Sequence, residues 1–167
     1  STLSKRKASA KPITPIPSST QFAPGNRTPY TEQITAGVQR QFGRTFSISA
    51  DLVRARGFGL LRSSDANYPN MDDPARARPN PSFQRVTIVE TKGNSWYTGL
   101  QVGIEKRLSQ HHTYTVAYTL SETERNTEDF NFFPMDNRFY DLERGPASND
   151  SRHRVSAAFT LQLPWQI

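Results

Sequence analysis

Residues 95–121, "SWYTGLQVGIEKRLSQHHTYTVAYTLS", are two alternating runs joined by a short polar turn. In the first run Trp96, Thr98, Leu100, Val102 and Ile104 share one side, and Tyr97, Gly99, Gln101, Gly103 and Glu105 share the other. In the second, Tyr114, Val116, Tyr118 and Leu120 oppose Thr113, Thr115, Ala117 and Thr119. A period of two is what a strand requires, because successive side chains point to opposite faces. The fold turns on what the apolar side touches: the core of a soluble protein, or something outside it.

The same pattern recurs on either side of this pair. In "YTEQITAGVQRQF" (30–42), Ile34, Ala36 and Val38 oppose Gln33, Thr35, Gly37 and Gln39. A tight turn around Gly43-Arg44 leads to "TFSISADLVRA" (45–55), where Phe46, Ile48, Ala50 and Leu52 oppose Ser47, Ser49 and Asp51. In "RHRVSAAFTLQLP" (152–164), Val155, Ala157, Phe159, Leu161 and Leu163 oppose Arg154, Ser156, Ala158, Thr160 and Gln162. A shorter candidate, "FQRVTIVET", occupies 83–91, and no helical period of useful length appears. Residues 1–29 hold five prolines and no period, so they are expected to form an extended arm or loop ahead of a strand region at 30–167.

Composition narrows the alternatives. The chain has 167 residues, of which 34% are hydrophobic and 11% aromatic, with 12 prolines and 9 glycines. A mean hydropathy of -0.71 argues against a large dry core, while patterned aromatics argue against disorder. There is no cysteine, so disulfides and thiolate metal sites are excluded. The net charge of +6 is carried partly by Lys5, Arg6, Lys7 and Lys11, and Glu122–Asp150 reverses it with eight acids against three arginines. That distribution is a poor footprint for a phosphate groove, and no nucleic-acid partner is expected.

The connections alternate in length. Gln41–Thr45 and Ser109–Thr113 are short turns, whereas Arg56–Ser82 and Glu122–Asp150 are long, polar and rich in Asn, Asp and Pro. Transmembrane barrels have short periplasmic turns and long outer loops, an asymmetry that soluble sandwiches lack. If both short turns lie on one side of a membrane, Phe83–Thr91 cannot be a separate crossing. It is then an extracellular hairpin or strand extension with Lys92-Gly93-Asn94 as its turn.

The faces point the same way. The wet side of each run is mostly Ser, Thr, Gly, Gln and Ala, which suits a crowded or water-filled interior. The opposite side is uncharged over four or five positions, with Arg40 and Lys106 appearing only toward the short turns. Phe42, Phe46 and Tyr114 lie near the short turns and Trp96, Tyr118 and Tyr30 nearer the long loops, as two interfacial girdles would. The expected fold is therefore all-β: an antiparallel meander forming part of a large transmembrane β-barrel. Its apolar side meets the lipid of a bacterial outer membrane. Five crossing strands cannot close a barrel, so a fragment of a longer chain is expected. The alternative is a soluble β-rich binding or adhesion module.

The segments "PYTEQITAGVQRQFG", "NSWYTGLQVGIEKRLSQHHTYTVAYTLSETE" and "NDSRHRVSAAFTLQLP" resemble late-barrel segments of TonB-dependent outer-membrane receptors. The nearest type is the large Oar-like group with a carboxypeptidase-regulatory-like domain. The resemblance covers about 30–163 and rests on order and spacing more than on any single motif. It implies a monomeric barrel of many strands, plugged by an N-terminal domain. It also implies uptake of a scarce siderophore, cobalamin or glycan ligand, energised by the TonB complex through parts outside this chain.

No catalytic constellation is found, and neither an enzymatic role nor a cofactor is expected. His111-His112 in a turn and His153 at a strand start lack the further ligands zinc needs. Asp65, Asp72 and Asp73 share a loop but lack the order of a calcium loop. "RGFGLLR" is not a phosphate loop, and no GxSxG elbow appears. The candidate ligand contacts lie in the long connections: Tyr68, Arg76 and Arg78 in the first, and Phe130, Phe132, Phe133, Arg138 and Tyr140 in the second. Exposed aromatics beside arginine suit sugars or chelates; the competing expectation is that they pack the loops against each other over the barrel mouth.

Overall fold

The structure, a computed structural model, describes residues 15–109 and 111–163. Lys5, Arg6, Lys7, Lys11 and residues 164–167 lie outside these, as does Gln110 in the second short turn. Among the described residues seven strands form one sheet: β1 (Ser19–Phe22), β2 (Tyr30–Phe42), β3 (Phe46–Asp65), β4 (Val86–Ser109), β5 (His112–Arg125), β6 (Gly145–Pro146) and β7 (His153–Leu161). The only helical element among the described residues is a single 3₁₀ turn, Tyr140–Glu143.

Five long strands run as an antiparallel meander in the order β2-β3-β4-β5-β7. The register sorts side chains into rows. Phe42, Phe46, Lys106, Tyr114 and Phe159 stand opposite one another in the row nearest the short turns. Above it come Arg40-Ile48-Ile104-Val116-Ala157, then Val38-Ala50-Val102-Tyr118-Val155, then Ala36-Leu52-Leu100-Leu120-His153. These rows make one continuous apolar face. The 13 residues of β2 span ~41 Å, or ~31 Å of height at a tilt of ~40°, enough to cross a ~25 Å hydrocarbon band.

Among the described residues no second layer covers this face. The buried hydrophobic residues among them are Val89 and Ala147, both above the belt, while Ile34, Val38, Val155 and Phe159 are each about 70% exposed. A sheet whose aliphatic face has no protein against it is stable only if another apolar medium covers it. The soluble sandwich is thereby excluded, since two sheets clasping these side chains would have buried them.

The opposite face is small and polar for a steric reason. The Asp51 carboxylate lies over Gly37, the Ser49 hydroxyl over Gly103 and the Ser95 hydroxyl over Gly57, each occupying space that a Cβ would need. Gly43 takes a positive φ of 63° in the first short turn, and His111 one of 69° in the second. There the Lys106 ammonium lies against His112.

Four expectations need correction. Lys92-Gly93-Asn94 is not a turn: β4 runs unbroken from Val86 to Ser109, so 83–91 contributes a strand extension, not a hairpin. Register shifts near Gly59 (φ 68°) relieve the mismatch as β3 and β4 rise together beyond the membrane. Second, the proline-rich arm joins the sheet. Ser19–Phe22, between Pro17 and Pro24, has the free N–H groups a ladder needs, and it pairs in parallel with Val86–Val89 on the edge of β4 that β5 is too short to cover. Third, Tyr118 is not in the upper girdle. It faces Val102 and Val155 within the belt, and its hydroxyl lies 2.8 Å from His153 Nδ1. The upper girdle is Trp96 with Tyr30 and Phe58, whose rings stack 5.0 Å apart. Fourth, charges on the lipid-side face are not confined to the short-turn end. Glu32, Arg54, Arg56, Glu122 and Glu124 follow the Leu52-Leu100-Leu120 row on the same side, with Arg152–Glu122 (2.6 Å) and Arg144–Glu124 (2.5 Å) paired. They mark where hydrocarbon ends.

Candidate functional site

Above the belt β3 and β4 continue as a two-stranded ribbon whose tip is fixed by Asp65. One carboxylate oxygen accepts hydrogen bonds from the backbone N–H groups of Asn67 (2.9 Å) and Val86 (3.0 Å). The other pairs with Arg78 at 3.1 Å, and the same Arg78 nitrogen donates to the Asn67 carbonyl at 2.8 Å. Asn67 closes the loop from within, donating to the carbonyls of Asn80 and Phe83 and accepting from the Asn80 N–H at 2.7 Å. Asn67 is 1% exposed and Asp65 6%, so these bonds act where water competes least. The first long connection, 66–85, is thus a knotted cap, not a free loop.

The second, 126–152, straddles the ribbon. Going up, Thr127 bonds the Leu61 carbonyl, and the Phe130 and Phe132 carbonyls accept from the Ser63 hydroxyl and N–H. At the tip Asn137 donates to the Asp65 carbonyl (2.6 Å), Tyr68 donates to the Met135 carbonyl (3.2 Å), and Arg138 bridges Asp136 and Asp72. On the way down Tyr140 lies under the Arg62 guanidinium, 3.8 Å from ring centroid to Cζ. Arg144 then stacks on Trp96 at 4.2 Å. Ser63 and Val89 stand opposite each other on one face of the ribbon, Arg62 and Glu90 on the other. The loop therefore covers both, and this is why most buried residues among those described are polar.

The covered cluster is charged. Arg62 is 2% exposed, and burial holds its guanidinium below the ordinary value against the pull of Tyr140, Glu90 and Glu143. Glu90 pairs with Lys92 at 2.7 Å, a bond that raises the lysine above its usual value. Arg62 Nε and Nη1 and Glu90 Oε1 are buried without a hydrogen-bond partner among the described residues. Outside, Asp136 is held below the usual carboxylate range by its hydrogen bonds from Arg138, which is itself raised.

The predicted contact residues are divided by this architecture. Arg78, Phe130 and Phe133 come together in a cleft of about 520 Å³ on the Ser63–Val89 face. Arg138 and Tyr140 line a second cleft of about 610 Å³ with Phe58 and Lys92. Tyr68 and Arg138 line a third, of about 300 Å³, at the ribbon tip. Phe132 sits beside Arg125 and Glu143 in a small hollow of about 180 Å³. Arg76 lines none of these clefts; its φ of 44° belongs to the turn in which its N–H bonds the Asp73 carbonyl. Sequence reasoning missed Arg85, whose guanidinium stacks on Phe133 at 4.5 Å. Its signal is a cation within the strand candidate 83–91, just ahead of β4, outside the two long connections to which the contact candidates are confined. Of the three loop aspartates, Asp65 is engaged by Arg78 and Asp72 by Arg138.

A lipid-facing belt, a small-residue polar face, short turns at one end and folded loops at the other define a piece of membrane-barrel wall. The family model described as an outer membrane beta barrel domain matches residues 2–166, and the chain belongs to that family. It is a protein of the bacterial outer membrane. No curated protein and no solved structure matches it.

Proposed function

We propose that this chain forms part of the barrel wall of a TonB-dependent receptor that takes up a scarce ligand, its two long connections forming part of the ligand-receiving mouth. The observation that carries this is the raised ribbon. β3 and β4 have 20 and 24 residues, roughly twice the 9–11 a crossing needs, and the excess supports an ordered cap. A barrel that served only as a membrane anchor would have no use for clefts held rigid above the bilayer. The resemblance of the strand segments to late-barrel segments of such receptors supports the same reading. Ligand recognition rests on loop residues positioned by rigid strands, and no covalent chemistry is assigned to them.

Energisation requires contact with the inner-membrane machinery. The natural protein carrying this chain, extracted from outer membranes, is expected to retain the purified periplasmic domain of TonB in a pull-down. Absence of association with the folded barrel would overturn the assignment, whatever ligands the barrel binds.

A further inference from the structure

The cleft on the Ser63–Val89 face differs in charge from the others. The second cleft includes Asp141, the third Asp65 and Asp136, the fourth Glu128 and Glu143, and the hollow beside Trp96 includes Glu122 and Glu124. The Ser63–Val89 cleft is lined by Arg78 and Arg85 and by no carboxylate. Arg85 is exposed, and among the described residues it forms no ion pair. Arg78 spends only Nη1 on Asp65 and Asn67.

The remaining lining is equally specific. Thr20, Thr87, Gln84 and Asn131 offer hydroxyl and amide groups, which both donate and accept. Phe130 is 52% exposed and Phe133 carries the Arg85 guanidinium on its ring, so the walls present flat apolar surface next to positive charge. At about 520 Å³ the cleft falls within the size range of small-molecule sites. Its floor is fixed, since Ser63 is tied to both Phe130 and Phe132 and Nη1 of Arg78 is tied to Asp65 and Asn67.

We infer that this cleft is a binding site for an acidic carbohydrate. A carboxylate on the sugar meets Arg85 and the free side of Arg78. The hydroxyls meet the threonine, glutamine and asparagine groups, and a ring face lies against Phe130. A neutral sugar forfeits the charge, and a bare inorganic anion forfeits the ring and hydroxyl contacts. The inference rests on the receptor reading for its biological sense, but the binding itself needs no energised membrane.

The test is calorimetry on the full natural protein in detergent, with three probes: a trigalacturonate, the neutral galactose trisaccharide and inorganic sulfate. Trigalacturonate is expected to bind at least ~10-fold more tightly than either of the others and to weaken as salt is raised. Arg85→Gln should lower its affinity ~10-fold or more, and Arg85→Lys should recover part of the loss, with both variants retaining the heat-modifiable gel migration of a folded barrel. Equal binding of the neutral trisaccharide, equal binding of sulfate, or an unchanged affinity in a folded Arg85→Gln protein would each overturn the inference. The TonB pull-down is indifferent to all three results, so the two assignments fail separately.

Discussion

Below the Leu52-Leu100-Leu120 row the molecule is a single sheet with an exposed aliphatic face; above it, a ribbon is wrapped on both sides by its own loops. The lower region has almost no protein core and relies on backbone ladders and an external apolar solvent. The upper region stands in water and buries polar groups, Arg62, Asp65, Asn67 and Glu90 among them. The contrast shows that one pair of strands can be stabilised by opposite means along its length. In lipid no irregular backbone is tolerated and the side chains need no partners. In water the loops are free to be irregular, but the charges they cover need compensation, which Glu90 finds in Lys92 and Arg62 in the face of Tyr140.

Substitutions can break this contrast. The largest effect is expected for Val102→Arg in the middle row of the belt, at about 2–4 kcal/mol near the bilayer midplane. Leu61→Arg, an arginine above the register shifts, should cost less than about 1 kcal/mol. Reversible urea unfolding from lipid vesicles measures both, and equal costs would mean that the belt does not face hydrocarbon. Next comes Asp65→Asn, which removes the charge that Arg78 and two backbone N–H groups share. A loss of about 1.5–3 kcal/mol is expected, confined to the cap and seen as faster proteolysis within 66–85 with the belt unaltered. Smaller again is Gly37→Val, which places a side chain where the Asp51 carboxylate lies. About 1 kcal/mol is expected, because the polar face is open enough for Asp51 to swing away.

The smallest effect is a pH response at the loop tip. Asp136 is held ionised by Arg138, so its folded pKa is below its unfolded one. The stabilisation is then fully present above the ordinary aspartate value of ~3.9 and is lost as pH falls through the depressed value. Digestion by pepsin between 134 and 139 should rise steeply only under those acid conditions. It should lose that step in Asp136→Asn, where the tip is already loosened at neutral pH.

The lower region was legible because lipid imposes a strict period. Ile34, Val38, Leu100 and Val116 all fall on the lipid-side face, and the first crossing reads as 30–42, where the structure has it. The upper region was legible only in outline. The continuity of β4 through Lys92-Gly93-Asn94 depends on Asn126 accepting the Asn94 N–H and on Thr127 packing beside Gly93, long-range events that leave no periodic trace. In the long connections the structure sets arginines on aromatic rings, Arg85 on Phe133 and Arg138 on Phe139. Which arginine was spoken for could not be read: Arg78 meets Asp65, 13 residues away, while Arg85 meets no carboxylate among the described residues. Such assignments are set by how a loop closes, and closure is decided by a few buried acceptors such as Asp65 and Asn67.

The short parallel strand Ser19–Phe22 has a consequence for assembly. It lies on the far edge of β4, yet the chain leaving it must reach β2 on the far edge of β3; Asn26 and Arg27 still touch Thr91, while Thr28 and Pro29 already pass against Gly59. Three or four residues therefore lie across the ribbon like a buckle. Such a buckle cannot be fastened before the thing it crosses exists. The segment Ser19–Phe22, made before its partner, thus waits for a hairpin synthesised some 65 residues later, and its docking is among the last steps in building this part of the wall.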